Sequence, residues 1–329
     1  MVRHKGLAVF GPGSTHKSRP KRDFLFVNHY TMTLSATQSE TTPEREAGSK
    51  LKIAIQGYPG AFHEIAARFL FEDEDIDVQP AHTFEDLFEM VEIGEQADYG
   101  LMAIENTLAG SLMENYRLLN NSNLSVIGEV YLRIKQNLLV LPGTRIEDLT
   151  EVHSHPIAIA QCREFFKKHP HIRLVETADT ALSAKLVRDQ ELKRTGAIAS
   201  TLAAEMYELE VLAESIETNK KNHTRFLLLK KGLVDEQLLE DADKVSLCFS
   251  VDHEVGSLYK VLAVLAAYQV NLTKIQSAPI IGKPWEYMFF LDFVTEGKLG
   301  FQQAIDAIRP LTHVLNIFGI YRKGNHFEM

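Results

Sequence analysis

The stretch Asn222-His223-Thr224-Arg225-Phe226 sets a hydroxyl, a guanidinium and an aromatic ring side by side, just ahead of the apolar run Leu227-Leu228-Leu229. An arginine can clamp a carboxylate through two parallel N–H bonds, and a neighbouring hydroxyl can donate a hydrogen bond or a proton to an oxygen leaving the same molecule. The set suits an anionic substrate that loses water, with Thr224 as donor and Arg225 as clamp. A strand entered here would hold all three groups at its mouth. The tripeptide alone is also the pattern of an ordinary strand start with surface polarity, so its meaning rests on the rest of the chain.

Two strand-to-helix turns are built to receive an anion. In Gly57-Tyr58-Pro59-Gly60-Ala61-Phe62 the glycines let backbone approach a ligand, and the turn opens a helix whose N–H groups and dipole favour negative charge. Ile104-Glu105-Asn106-Thr107-Leu108-Ala109-Gly110-Ser111 adds an amide and two hydroxyls. Helix capping accounts equally for Ser, Thr and Asn at such places. Glu105 and Asn106 directly after a strand need partners if buried.

The elements that must position these groups alternate. Lys52–Gly57 reads as a strand and Ala61–Leu70 as a helix. Strands are then expected at Tyr99–Ile104, Leu124–Val130, Gln136–Leu141, Arg173–Val175, Gly196–Ala199 and Phe226–Lys230. Helices are expected at Ser111–Asn120, Ile157–His169, Asp179–Arg188 and Leu202–Tyr207. Such alternation predicts an α/β domain with largely parallel sheets, in two lobes with a cleft beyond the carboxyl ends of the strands. An acidic linker without apolar pattern runs from Gly232 to Asp243. Beyond it the order Val245–Val251, Ser257–Tyr268, Leu272–Ala278, Tyr287–Phe293, Phe301–Leu311 and Val314–Tyr321 predicts a ferredoxin-like β-α-β-β-α-β domain over 244–323. Residues 1–50 show no apolar periodicity and read as disordered, either an organelle address or an extension upstream of Met32.

The 329 residues, 45% hydrophobic, are enough for a full core, and the net charge of −9 disfavours nucleic acid and anionic membrane as partners. An anionic substrate must therefore be met by locally aimed donors. No window reaches the roughly 18 apolar residues of a membrane span, and no signal peptide is evident, so the cytoplasm is the expected location. Cys162 and Cys248 sit among apolar neighbours and read as core. His153 and His155 lack a third ligand at metal spacing and read as loop and capping residues. The acidic run Glu72–Asp77 lacks the glycine and closing glutamate of a calcium loop.

With these motifs in order, the chain resembles prephenate dehydratases carrying a C-terminal ACT regulatory domain. The resemblance runs from about Lys52 to Tyr321. It is carried by Gly57–Phe62, by Ile104–Thr107 with Gly110-Ser111, by His155-Pro156 with Ala160-Gln161-Cys162, by Ala197–Ser200, and by Asn222 with Thr224–Phe226. It implies a two-lobed cleft similar to that of periplasmic binding proteins, Thr224 as the key catalytic residue, and no cofactor or metal. The expected substrate-binding set is Gly60, Ala61, Phe62, Glu105, Asn106, Thr107, Gly110, Ser111, Gln161, Ser200, Asn222, Arg225 and Phe226. Of these, Asn106, Thr107, Ser111, Arg225 and the two helix N-termini would hold the carboxylates, while Phe62 and Phe226 lie against the ring.

Ala61 stands where many members have Thr, and the plant relatives that act on arogenate resemble this chain there, which leaves prephenate and arogenate as alternatives. Ala103 and Thr107 replace a common Pro and Ser. In the ACT-like part, Gly256-Ser257-Leu258 resembles the family's helix start, and Asn271-Leu272-Thr273-Lys274-Ile275 its second ligand-facing segment. Phenylalanine would bind there across a dimer interface, near Gly256, Ser257, Leu258, Asn271, Leu272 and Ile275. Gln276 and Ala278 replace a common Glu and Arg. The expectation is a monofunctional, feedback-regulated enzyme, dimeric or tetrameric, without a preceding mutase module. A non-catalytic amino-acid sensor is the rival of another class, although a pure sensor has no use for the Thr224 hydroxyl.

Overall fold

Strand β1 (Leu51–Gln56) is buried apart from Lys52 and the half-buried Gln56, the signature of a strand covered on both faces. It opens the computed structural model, which describes residues 50–72, 74–232, 242–295 and 300–327. Residues 1–49 and nearly all of the linker read over Gly232–Asp243 lie outside the described residues.

After β1 come α1 (Phe62–Leu70), β2 (Ile76–Ala81), α2 (Phe84–Ile93), β3 (Tyr99–Asn106), β4 (Gly110–Ser111), α3 (Met113–Asn120), β5 (Leu124–Arg133) and β6 (Asn137–Val140). The chain continues through β7 (Glu151–Ser154), α4 (Pro156–Phe166), β8 (Arg173–Glu176), α5 (Thr180–Asp189), β9 (Thr195–Ala199), α6 (Thr201–Met206), β10 (Glu210–Ala213) and β11 (His223–Lys231). The C-terminal part comprises β12 (Lys244–Ser250), α7 (Ser257–Ala267), β13 (Val270–Pro279), β14 (Tyr287–Thr295), α8 (Phe301–Ile308), β15 (Val314–Tyr321) and β16 (His326–Phe327).

Among the described residues three sheets result. The first runs β16-β5-β11-β3-β1-β2 with β4 on β3, the second β10-β6-β9-β7-β8, and the third β13-β14-β12-β15. The alternation of strands and helices indicated largely parallel sheets, and here the structure differs. β11 returns from the second lobe and enters between β3 and β5 antiparallel to both, and β6 is antiparallel to β9 and β10. The third sheet has the ferredoxin-like order with α7 and α8 on one face, packed over Val245, Leu247, Phe249 and Phe293. Its other face joins the first lobe: Cys248, Phe290, Phe318 and Tyr321 share one core with Met102, Tyr116 and Leu227.

Two crossovers link the lobes, residues 134–136 and 214–222. The Ile134 N–H donates to Asn222 O at 2.8 Å, the Ile216 N–H to Gln136 O at 2.7 Å, and the Gln136 N–H to the buried Glu217 carboxylate at 3.0 Å. Opposite this hinge the lobes touch again. Ser200 Oγ donates to Gly60 O at 2.6 Å and Tyr207 Oη to Pro59 O at 2.7 Å. A cavity is enclosed between hinge and contact.

Candidate active site between the two lobes

A cavity of about 230 Å³ is lined from the first lobe by Ala61, Phe62, His63, Ala103, Asn106, Thr224 and Phe226. Gln136, His155, Gln161, Asp179 and Thr180 line it from the hinge and second lobe. This is just below the ~300–1,000 Å³ of ordinary small-molecule pockets.

Its polar wall is one connected set of amides. Asn106 Oδ1 accepts the Leu108 and Ala109 N–H groups, each at 2.9 Å, which fixes the orientation of its amide. Asn106 Nδ2 therefore donates to Thr224 Oγ1 at 2.9 Å and to Asn222 Oδ1 at 2.8 Å. With its lone pair engaged by Asn106, the Thr224 hydroxyl keeps its proton for another acceptor. The same logic runs on: Asn222 Nδ2 donates to Gln161 Oε1 at 3.0 Å, and Gln136 Nε2 to the same oxygen at 3.4 Å. The chain of donors ends at Gln136 Oε1, an enclosed acceptor with no hydrogen-bond partner among the described residues.

A register shift brings Thr224 and Asn106 together. β11 pairs with β3 as Thr224↔Asn106, Arg225↔Glu105 and then Phe226↔Ala103, so Ile104 is extra on β3. That bulge reverses the facing of Glu105 and Asn106. Without it Asn106 would share the face of Met102 and Ile104, which pack into the core beneath the C-terminal sheet.

Among the described residues no Lys or Arg lines the cavity, and positive potential comes from helix ends. Ala61–His63 begin α1, Leu112 caps α3, His155–Ala158 begin α4 and Ala178–Thr180 begin α5, all on the cavity wall. Four helix N-termini at the wall favour an anion through their dipoles, although at α4 the Ile157 N–H is taken by His155 and at α5 the Leu182 N–H by Asp179. His63 stands edge-on to Phe226, with ring centroids 4.9 Å apart, and its Nε2 accepts the Ala103 N–H at 3.4 Å. Burial holds its pKa down at about 4, so it is neutral at pH 7. The Asp179 carboxyl is pushed up by burial, against the Leu182 N–H that its Oδ1 caps at 2.8 Å.

Of the residues singled out in the sequence, Ala61, Phe62, Asn106, Gln161, Thr224 and Phe226 reach the cavity wall. Asn222 is fully buried behind it, in the amide chain. Gly60 and Ser200 do not line it. The Gly60 N–H is engaged by the buried Glu64 carboxylate at 2.7 Å, and Ser200 caps α6 while holding Gly60 O. Thr107 ties the loop to Lys221 O and His223 N, and Gly110 and Ser111 form β4 away from the cavity.

Glu105 and Arg225 correct the sequence reading. Adjacent strand residues face opposite ways, so with Thr224 in the cavity Arg225 points out of its back. There it meets Glu129 at 2.6 Å, Asp292 and the Tyr321 hydroxyl, all buried; it is no substrate clamp. Burial opposes ionisation of Asp292, yet Arg225 beside it draws its pKa below the usual carboxylate range. Lys244 completes the group at 2.8 Å from Glu129. Glu105 lies on the same back face, 3.1 Å from Lys274 Nζ.

His63, Gln136, Asp179 and Thr180 were not found from sequence, and His155, read as a cap, both caps α4 and lines the cavity. Asp179, a helix cap in an expected cleft, carried a signal; Gln136, in the polar run Lys135-Gln136-Asn137, carried no distinct one. His63 carries none before the helix is docked.

A second cavity, about 250 Å³, lies at the start of α7. Ser257 and Leu258 line it with Asp252, Glu254, Trp285, Tyr287 and Phe289. Gly256 caps α7 in the left-handed conformation, φ 85°. Asn271, Leu272 and Ile275 lie on β13 outside this cavity, Leu272 against the helices and Ile275 exposed.

Fold and cavity together define a two-lobed α/β protein with a small cavity at its hinge, on whose wall the Thr224 hydroxyl stands. The description "Prephenate dehydratase" belongs to the family model that matches residues 53–233. Arogenate dehydratase 2 of Petunia hybrida is 37% identical over 307 residues, covering 87% of this chain and 75% of its own length. Among solved structures, the prephenate dehydratase of Arthrobacter aurescens in complex with L-Phe has a TM-score of 0.73 and 26% identity, covering 83% of this chain and 90% of that one. A structure described as GqqA, a novel type of quorum quenching acylases, has a TM-score of 0.75 and 31% identity, covering 83% and 98%. The chain belongs to the prephenate dehydratase family.

Proposed function

We propose that this enzyme converts prephenate to phenylpyruvate in phenylalanine biosynthesis, with Thr224 acting on the departing hydroxyl. The ring carboxylate leaves as carbon dioxide, its bonding electrons enter the ring, the ring C–O bond breaks, and the hydroxide takes up a proton to leave as water. Aromatisation supplies the driving force, so the protein has to hold the dianion and assist the leaving oxygen. The observation that carries this reading is the Thr224 hydroxyl, fixed as an acceptor by Asn106 so that its proton is free at the cavity wall. A threonine hydroxyl is a weak acid, so it acts as an aimed hydrogen-bond donor in a partly dry site. The helix N-termini receive the carboxylates, and Phe62, Phe226 and the edge of His63 pack on the ring.

A second substrate is favoured by one observation. Prephenate's side chain brings only acceptors, yet the cavity wall holds the unpartnered Gln136 Oε1 and the Asp179 carboxyl, with no Lys or Arg. An ammonium group suits acceptors of this kind, which points to arogenate. Purified protein given each compound separately decides between them: phenylpyruvate from prephenate, phenylalanine from arogenate. Product from neither would leave a sensor. If arogenate is the better substrate, Gln136→Leu lowers its kcat/KM and spares that of prephenate.

The C-terminal unit is read as an ACT-like regulatory domain that binds free phenylalanine. In the second cavity the α7 N-terminus suits a carboxylate, Asp252 and Glu254 an ammonium, and Trp285 and Phe289 a ring. Edge strand β13 and the exposed Val255, Tyr259, Ile281 and Trp285 support a homodimer or homotetramer formed through this unit. Among the described residues no helix is long and apolar enough to cross a membrane, and we place the enzyme in the cytoplasm on composition alone.

A further inference from the structure

Two cross-strand pairs of opposite charge pattern meet back to back with the catalytic pair. On the first lobe, Arg225 and Glu105 are register partners, one residue along from the partners Thr224 and Asn106. On the C-terminal sheet, Lys274 and Asp292 are register partners. The two pairs dock crosswise, with Lys274 on Glu105 at 3.1 Å and Asp292 on Arg225. Lys274 Nζ also donates to Ser111 Oγ at 2.6 Å, and Ser111 is the β4 partner of Glu105.

Each pair sits beside a bulge. The extra Ile104 on β3 sends Glu105 to the back face and Asn106 to the cavity. The extra Thr273 on β13 has the matching effect. Leu272 before it packs beneath the helices of its own unit, whereas Ala278 beyond it packs into the core shared with the first lobe. By parity that puts Lys274, Gln276 and Ala278 on the docking face. A bulge re-aims side chains, and here two of them aim four charges at one another.

We propose that Lys274 and Asp292 are positioning residues for the reaction: by gripping Glu105 and Arg225 they fix the relative placement of β3 and β11, and so the Asn106–Thr224 hydrogen bond. A slide of β13 along β14 would then reach the catalytic hydroxyl through one peptide unit on each strand. Asn271 and Ile275, expected from sequence to face the effector, flank Lys274 on that strand. The part of this inference concerning rate rests on the proposed dehydration of prephenate.

Lys274 is the residue to test, because Glu105 keeps access to solvent and its carboxylate survives the loss of its partner. In Lys274→Met, kcat for prephenate falls about tenfold, the scale of measured inter-site couplings, while KM stays within twofold. Lys274→Arg restores most of the rate. Charge reversal in Lys274→Glu is relieved by adding Glu105→Lys. Amide hydrogen exchange over residues 222–226 rises in Lys274→Met and returns with Lys274→Arg. A Lys274→Met enzyme with wild-type kcat and wild-type exchange overturns the proposal, as does a double charge swap no better than either single change. A wild-type protein that turns over no prephenate counts against the reaction and leaves the exchange measurement to decide the coupling.

Discussion

Asn106 works as a splint. Its carbonyl is committed to two backbone N–H groups of its own loop, so its amide nitrogen donates to Thr224 and Asn222 at the shorter distances, with His223 O a further acceptor at 3.2 Å. Asn106→Asp keeps the shape but turns the donor into an acceptor, after which the Thr224 proton points back at the carboxylate. The expected result is a kcat lower by about 10²-fold or more with the melting temperature little changed, read by steady-state kinetics and calorimetry. His63 gives a pH signature. Its ring is neutral in the fold down to about pH 4, whereas an unfolded histidine takes a proton near 6.5. The unfolded state binds more protons between those values, so the stability tied to the neutral ring is complete above pH 6.5 and is lost as pH falls through 4. His63→Gln, which keeps an acceptor for the Ala103 N–H, flattens that acid limb; urea midpoints at pH 7, 5.5 and 4.5 measure it, and equal pH slopes would contradict it. Thr224 and Asn106 were legible as a hydroxyl and an amide at strand mouths once the other motifs stood beside them, whereas Gln161 was indicated by the family resemblance alone. Gln136 and Asp179 were harder to see, since their meaning depends on which lobe faces them.

At the scale of elements, strand alternation and one bulge decide what each motif residue does. Thr-Arg-Phe reads as three neighbours, but a strand sends the middle residue through the sheet. The alternation rule was available in the sequence, and only the register of β11 against β3 showed which face held the cavity. Arg225 is thus part of a buried group with Glu129, Asp292 and Lys244, two cations against two anions. Arg225→Met leaves Asp292 buried without its cation, at an expected cost of about 3–5 kcal/mol. Differential scanning calorimetry should show a large fall in Tm, with KM for prephenate nearly unchanged where the protein stays folded. A carboxylate clamp would give the reverse, a KM higher by decades and an unaltered Tm.

Across the described residues, the C-terminal sheet packs directly on the first lobe. Gly319 on β15 lies so close to β5 that a methyl group would overlap the carbonyl oxygen of Val126, and at Gly324 it would overlap that of Glu129. Beyond Gly324 the chain rejoins the first sheet: β16 pairs with β5, and Phe327 stacks on Phe69 with centroids 4.5 Å apart. Gly319→Ala should therefore lower stability by ~1–3 kcal/mol, as overpacking does, and lower kcat through the contacts of Lys274 and Asp292. The β-α-β-β-α-β order of this unit was legible in its apolar periodicity. Its docking was not, because an apolar strand face looks the same whether it meets its own helices or another sheet, and β16 is too short to carry a pattern. The edge elements β2 and α2 were missed for a related reason: the acidic run from Glu72 ends inside β2, and its charges hide a strand half open to solvent.

In the proposed reaction the Thr224 hydroxyl is the group on which the chemistry most directly depends. Phenylpyruvate formation at saturating prephenate, compared among wild type, Thr224→Ser and Thr224→Val, tests it. The serine enzyme should remain active, and the valine enzyme, folded and with an unchanged Tm, should lose about 10²–10³ in kcat. A valine enzyme that makes phenylpyruvate at the wild-type rate would contradict it.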